Sequence, residues 1–221
     1  MKKKLIMLVI IVVVMCFGFV AAVFLPFAAV TKAAPIEVYK TPTTALVVVD
    51  IQKDMTDKNG KRPLNLAQTD SIIPVINELV KNADVKKWVV VYITHEYRKG
   101  SPLRLVTQDF LLEGTPGAEM DPRLAVINKN HFVKNRMDAF SNMEFDAFLR
   151  KNQVKNVLLT GMAAEECLDR TSRGALNRNY AVTVISDAIA GRSDDSRKKK
   201  IEDYKRYGAQ IQQAKALLGG Q

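Results

Sequence analysis

The sequence predicts an α/β fold built on a largely parallel sheet. Three observations carry that prediction. Short runs of apolar residues alternate with segments of helical period from residue 44 to residue 212. The runs are apolar on both alternating faces, as in strands covered on both sides. The connections between them are long enough to hold crossover helices.

The chain has 221 residues, 48% of them hydrophobic, enough for one substantial core. It opens with Lys2, Lys3 and Lys4, followed by 26 uncharged residues from Leu5 to Val30. About 20 apolar residues span a bilayer as a helix, whereas the apolar centre of a signal peptide is about 7–15. The length favours an uncleaved transmembrane helix over a cleaved signal, although the small residues Thr31 and Ala33 would suit a cleavage site. The lysines would stay cytoplasmic, with the domain across the membrane. Residues 1–33 are therefore read as an anchor or signal segment, 34–43 as a linker, and 44–221 as the globular domain.

The net charge is +10, and 29 basic against 23 acidic residues remain from Ala34 onward. No arginine-rich stripe interleaved with aromatics accompanies that excess, so nucleic-acid binding gains no support. Cys16 falls in the apolar run and Cys167 in the domain, which leaves no plausible disulfide between them.

The first strand is Ala45–Val49, and it ends on Asp50. In a parallel sheet the carboxyl ends of strands open on the ligand crevice, so a carboxylate there is either a cap or a general base. Lys58–Pro63 (KNGKRP) is a basic turn. A helix over Ser71–Asn82 follows from Ile72, Ile73, Ile76, Leu79 and Val80 on one face, with Pro74 expected in its first turn. Trp88–Thr94 is the second strand. The two histidines, His95 and His131, have no ligand spacing, so no metal and no cofactor is expected, and His95 reads as a rim residue. Gly114–Met120 (GTPGAEM) is a Pro/Gly turn. Phe132-Val133 is a short strand leading to Lys134, and Glu144–Lys151 is a helix.

Val154–Thr160 is the central strand, and Gly161 permits a tight turn after it. A helix opens at Cys167, with Leu168, Thr171, Ala175 and Leu176 on its inward face. A thiol at a helix N-terminus feels the positive end of the dipole, which favours thiolate. A strand over Tyr180–Ser186, a helix over Ser193–Tyr207 and an edge strand over Ala209–Ile211 complete the pattern.

Several of these segments carry a resemblance. Gly161–Cys167 (GMAAEEC) with its following helix and strand, Asp50-Ile51-Gln52, the GTPGAE loop, and Lys134 six residues before Phe140 together resemble the isochorismatase-like cysteine hydrolase superfamily. Asp138 stands where that pattern usually has Ser, and Met143 where it commonly has Thr. The resemblance implies a three-layer, Rossmann-like fold of six strands. It also implies a catalytic triad of Asp50, Lys134 and Cys167, an oxyanion hole of the Ala163 and Cys167 backbone N–H groups, and a cis Met162–Ala163 peptide. The implied activity is hydrolysis of a C–N bond in a small amide or carbamoyl substrate. Vinyl-ether hydrolysis, or a tethered binding domain without turnover, are the alternatives. Tyr97, Phe110 and the Lys58–Arg62 turn are candidate pocket walls, and a homo-oligomer is compatible with the family.

Overall fold

The structure is a computed structural model that describes Met7, Gly18, Ala21, Ala22 and residues 24–219. It contains one six-stranded sheet in the order β3-β2-β1-β4-β5-β6, every neighbouring pair parallel. The strands are β1 Thr43–Val49, β2 Trp88–His95, β3 His131–Lys134, β4 Val154–Gly161, β5 Ala181–Ile189 and β6 Gln210–Gln212. The chain builds outward from β1 to β3, crosses back to β4, and then builds outward the other way. The strand order therefore reverses beside β1, the place where open α/β sheets form their ligand crevice.

The longer helices are α1 Leu66–Lys81, α2 Met143–Lys151, α3 Cys167–Leu176 and α4 Asp194–Arg206, followed by a short α5, Ala214–Leu218. Alternation along the strands assigns them to two faces. Ala45, Val47 and Val49 pack with Phe145, Leu149, Leu168, Ala175 and Tyr204 from α2, α3 and α4. Leu46 and Val48 pack with Ile72, Ile76, Leu79 and Ala214 from α1 and α5. Three layers result because β1, covered on both faces, has no polar side to offer water. Each fully buried aliphatic side chain in such a core contributes about 1.5–3 kcal/mol.

Several elements differ from the sequence-based expectation. α1 begins at Leu66 rather than Ser71, capped by the Asn65 side chain, which accepts from the Gln68 N–H at 3.2 Å. Pro74 consequently lies inside the helix. The early turns escaped notice because the buried residues there, Gln68 and Thr69, are polar. Gln68 is satisfied by Asp194 Oδ1 at 2.7 Å and by the Gly191 N–H at 2.8 Å. β5 continues through Asp187 to Ile189 because a register shift opposite Leu159–Gly161 carries the strand past the bend. The stretch 34–43 also packs on the domain, with Ile36 buried and its N–H bonded to the Arg178 carbonyl at 2.8 Å.

Most of the apolar run Leu5–Val30 up to residue 23 lies outside the described residues. Among the described residues no helix is long and apolar enough to cross a membrane. Residues 24–28 form a helical turn that is docked on the domain.

Candidate active site

Three strand ends converge at the crevice. Asp50 follows β1, Lys134 is the last residue of β3, and Cys167 opens α3 after β4. Two backbone features bring them together. Asp50 has φ +55°, a left-handed conformation that Asp tolerates better than most residues. Gly161 has φ +110°, and a Cβ there would meet the Val49 carbonyl oxygen at 2.0 Å. Only glycine lets the end of β4 lie this close to β1. The Met162–Ala163 peptide that follows is cis.

Lys134 is the hub. Its Nζ, wholly buried, donates to Asp50 Oδ2 at 2.7 Å and to Cys167 Sγ at 3.2 Å. It also lies 3.3 Å from His95 Nδ1. Burial works against the ammonium, but the Asp50 charge and the bonds to Asp50 and Cys167 outweigh it and hold the Lys134 pKa above its ordinary value. Burial raises the Asp50 pKa, and Lys134 only partly offsets this, so Asp50 is a stronger base than a free carboxylate. Its other oxygen, Oδ1, is buried with no hydrogen-bond partner among the described residues.

The thiol departs from the expectation drawn from its helix position. Burial and the Asp50 carboxylate push the Cys167 pKa well up, and Lys134 opposes them without prevailing. The helix N-terminus supplies a partial charge, whereas Asp50 is a full charge on the other side of the same ammonium. The resting state is therefore an Asp50–Lys134 ion pair beside a neutral thiol. Among the described residues the backbone N–H groups of Ala163 and Cys167 have no hydrogen-bond partner, although Ala164 N–H bonds the Ala190 carbonyl and Leu168 N–H the Ala163 carbonyl.

Asp50 and half-buried Cys167 line a cavity of about 390 Å³. Tyr97, Phe110 and Arg62 line it as expected, whereas Lys58 does not. His95 is a group that sequence reasoning undervalued. It is the last residue of β2, only 3% exposed, and lines the cavity rather than its rim. Burial and the neighbouring Lys134 charge hold its pKa far below the usual imidazole range, so it is neutral. The signal was available in principle, since β2 ends one residue later than its apolar run. His131 pairs in register with Tyr92, whereas His95 pairs with Lys134, so the two histidines stand on separate rows.

The Asp-x-Gln and GTPGAE segments turn out to be the scaffold. Gln52 is fully buried and donates to the His95 carbonyl at 2.9 Å and the Ala118 carbonyl at 2.6 Å, while accepting from the His95 N–H at 2.8 Å. It thus ties the end of β2 to the loop. Asp54 accepts from the Leu111 N–H at 2.8 Å, and Gly117 lies so close that a Cβ would meet Asp54 Oδ1 at 2.2 Å. Phe24, Phe27 and Ala28 also line the cavity, which nothing in the sequence indicated.

Known proteins resemble this chain in sequence and in fold. The isochorismatase domain profile matches residues 44–216. The isochorismatase family protein YaaI of Bacillus subtilis (strain 168) is 26% identical over 157 residues, which cover 68% of this chain and 82% of YaaI. The ureidoacrylate amidohydrolase RutB of Stutzerimonas stutzeri (strain A1501) is 23% identical over 174 residues, 67% of this chain and 70% of RutB. The crystal structure of an isochorismatase family protein from Desulfovibrio vulgaris superposes with a TM-score of 0.72 at 26% identity, covering 80% of this chain and 97% of that one.

Proposed function

Because the chain belongs to the isochorismatase family, we propose that it is a cysteine-dependent hydrolase of a C–N bond in a small amide or carbamoyl substrate. The observation that carries this reading is the Lys134 Nζ bridging Asp50 and Cys167 at the wall of a closed-in cavity. A relative named as an amidohydrolase supports the same chemistry.

In this mechanism Asp50 takes the thiol proton as Sγ attacks the carbonyl carbon. Lys134 keeps its own proton and balances the negative charge as it passes between carboxylate and sulfur. The N–H groups of Ala163 and Cys167 receive the oxyanion. Asp50 then protonates the nitrogen, the C–N bond breaks, and a thioester remains. A water gives its proton to Asp50 and attacks the thioester, the C–S bond breaks, and the returned proton restores the thiol.

The same proposal has the N-terminal segment holding the domain outside the cytoplasm. With residues from Phe24 docked on the domain, the nineteen residues from Leu5 to Val23 remain for the span. As a helix they would reach about 28 Å, close to the thickness of a hydrocarbon core. Retention in the membrane fraction through a carbonate wash is expected, and a mature form starting near Ala34 would mean a cleaved signal instead.

The catalytic reading is tested by ammonia release from a panel of neutral amides, with Cys167→Ala and Asp50→Asn beside the full chain. Both variants should lose turnover, and hydroxylamine should trap the thioester. Wild-type rates in both would rule out covalent catalysis. Inactivity on every amide but cleavage of a vinyl ether would indicate isochorismatase-type chemistry, and no turnover at all a binding domain.

A further inference from the structure

We infer that the strap of residues 24–31 is a working wall of the active site, and that Phe27 on it selects substrates with an apolar acyl group. The inference rests on the amidase reading for its substrate. It concerns a segment outside the matched family domain, which begins at residue 44.

The strap is fastened by groups suited to hold it. The Met137 N–H donates to the Phe27 carbonyl at 3.1 Å, and Arg170 Nε to the Ala28 carbonyl at 3.0 Å. Asp138 accepts from the Thr31 N–H at 2.8 Å and the Thr31 hydroxyl at 2.7 Å. Arg178 and Asn177 both donate to Thr31, each at 3.0 Å. Asp138 is fully buried, and its carboxylate lies so near Gly174 of α3 that a Cβ there would meet it at 2.5 Å. The acid that replaces the family's usual Ser thus has a use in this chain. It holds the strap.

The strap's contribution to the cavity is aromatic. Phe27 is 8% exposed, stacks on Tyr97 with ring centroids 5.7 Å apart, and meets His95 edge-on at 5.6 Å. Tyr97 in turn lies 6.4 Å from Phe110. Two of the cations beside the cavity are paired with carboxylates. Lys134 pairs with Asp50, and Arg192 with Glu166. Arg62 donates to the Val106 carbonyl and covers the Phe110 ring at 5.2 Å. An apolar acyl group is met by Phe27, Tyr97 and Phe110.

The test uses the full chain with 3-phenylpropanamide and acetamide as substrates. The ratio of kcat/KM for the two should fall about 10- to 100-fold in Phe27→Ala, the effect of removing a large apolar contact. Phe27→Leu, which keeps the site apolar, should fall between Phe27→Ala and the parent. Binding is read separately through 4-phenyl-2-butanone, a neutral isostere with no leaving group, protecting Cys167 from iodoacetamide. Protection should weaken by the same factor in Phe27→Ala. An unchanged ratio or undiminished protection would overturn the role of Phe27. If the parent hydrolyses no amide of the panel yet the ketone protects Cys167 only while Phe27 is present, the amidase reading fails and the apolar subsite stands.

Discussion

Replacing Asp50 by Asn should speed alkylation of Cys167 while abolishing turnover, two effects of opposite sign from one substitution. Asp50 and Lys134 act on the thiol in opposite directions, and in the resting enzyme Asp50, together with burial, prevails. Lys134 Nζ lies 2.7 Å from Asp50 and 3.2 Å from the sulfur, so the carboxylate and the sulfur are within about 6 Å of each other. At an effective dielectric constant of about 20, a full charge at that range is worth about 3 kcal/mol, or about two pKa units. Removing the carboxylate leaves Lys134 alone beside the thiol and lowers its pKa by that amount. Below the thiol pKa the thiolate fraction then rises about 100-fold, while the weaker basicity costs the nucleophile about tenfold. The net expectation is alkylation by iodoacetamide about tenfold faster at pH 7. Peptide mass at Cys167 follows the rate between pH 6 and pH 10, which keeps Cys16 out of the signal. Alkylation in Asp50→Asn that is slower than in the parent, or equal to it, would refute the charge balance derived for the site.

Two further substitutions probe the frame around that pair. Lys134→Met leaves the Asp50 carboxylate buried without its partner and should cost about 3–5 kcal/mol in denaturant unfolding. Asp50 already titrates above its ordinary 3.8, and losing Lys134 raises it further. The native state then holds a proton that the unfolded chain has released, so the variant's stability falls as pH rises through the window above 3.8. The deficit should therefore be larger at pH 8 than at pH 5, and a pH-independent deficit would contradict a buried Asp50. Gly161→Ala forces a Cβ to within 2.0 Å of the Val49 carbonyl at φ +110°, and should cost at least about 3 kcal/mol or prevent soluble expression. A melting temperature equal to the parent's would mean that β1 and β4 are not in such close contact.

The sheet was legible in the sequence because the inner parts of β1, β2 and β4 are buried on both faces and read as short apolar runs. Their carboxyl ends followed, and with them Asp50 and Cys167. The start of α1 was not legible, because Gln68 and Thr69 are polar residues buried by hydrogen bonds rather than by apolar character. His95 was placed at the rim rather than in the wall for a related reason. A polar residue at a strand end looks like the beginning of a loop unless a partner such as Gln52 is known to hold it in place. The protonation state of Cys167 lay further out of reach. Helix position is local information, but the opposing field comes from Asp50, 117 residues earlier in the chain.

Phe24 and Phe27 carry this argument one step further. In the sequence they end an apolar run whose length suits a membrane, and hydrophobicity alone assigns them to it. In the fold they wall the cavity that Asp50 and Cys167 line. The strap's polar fastenings begin in the same stretch, with the Phe27 and Ala28 carbonyls, and continue to Thr31. Backbone carbonyls bonded to Met137 and Arg170 of the domain cannot at the same time lie in lipid, where each would need a partner within its own helix. Any membrane span must therefore end before Phe27. A cleavage near Ala34 would remove the strap altogether and leave Tyr97 and His95 facing water. The form of the chain that keeps residues 24–31 is thus the one in which Phe24, Phe27 and Ala28 cover the cavity.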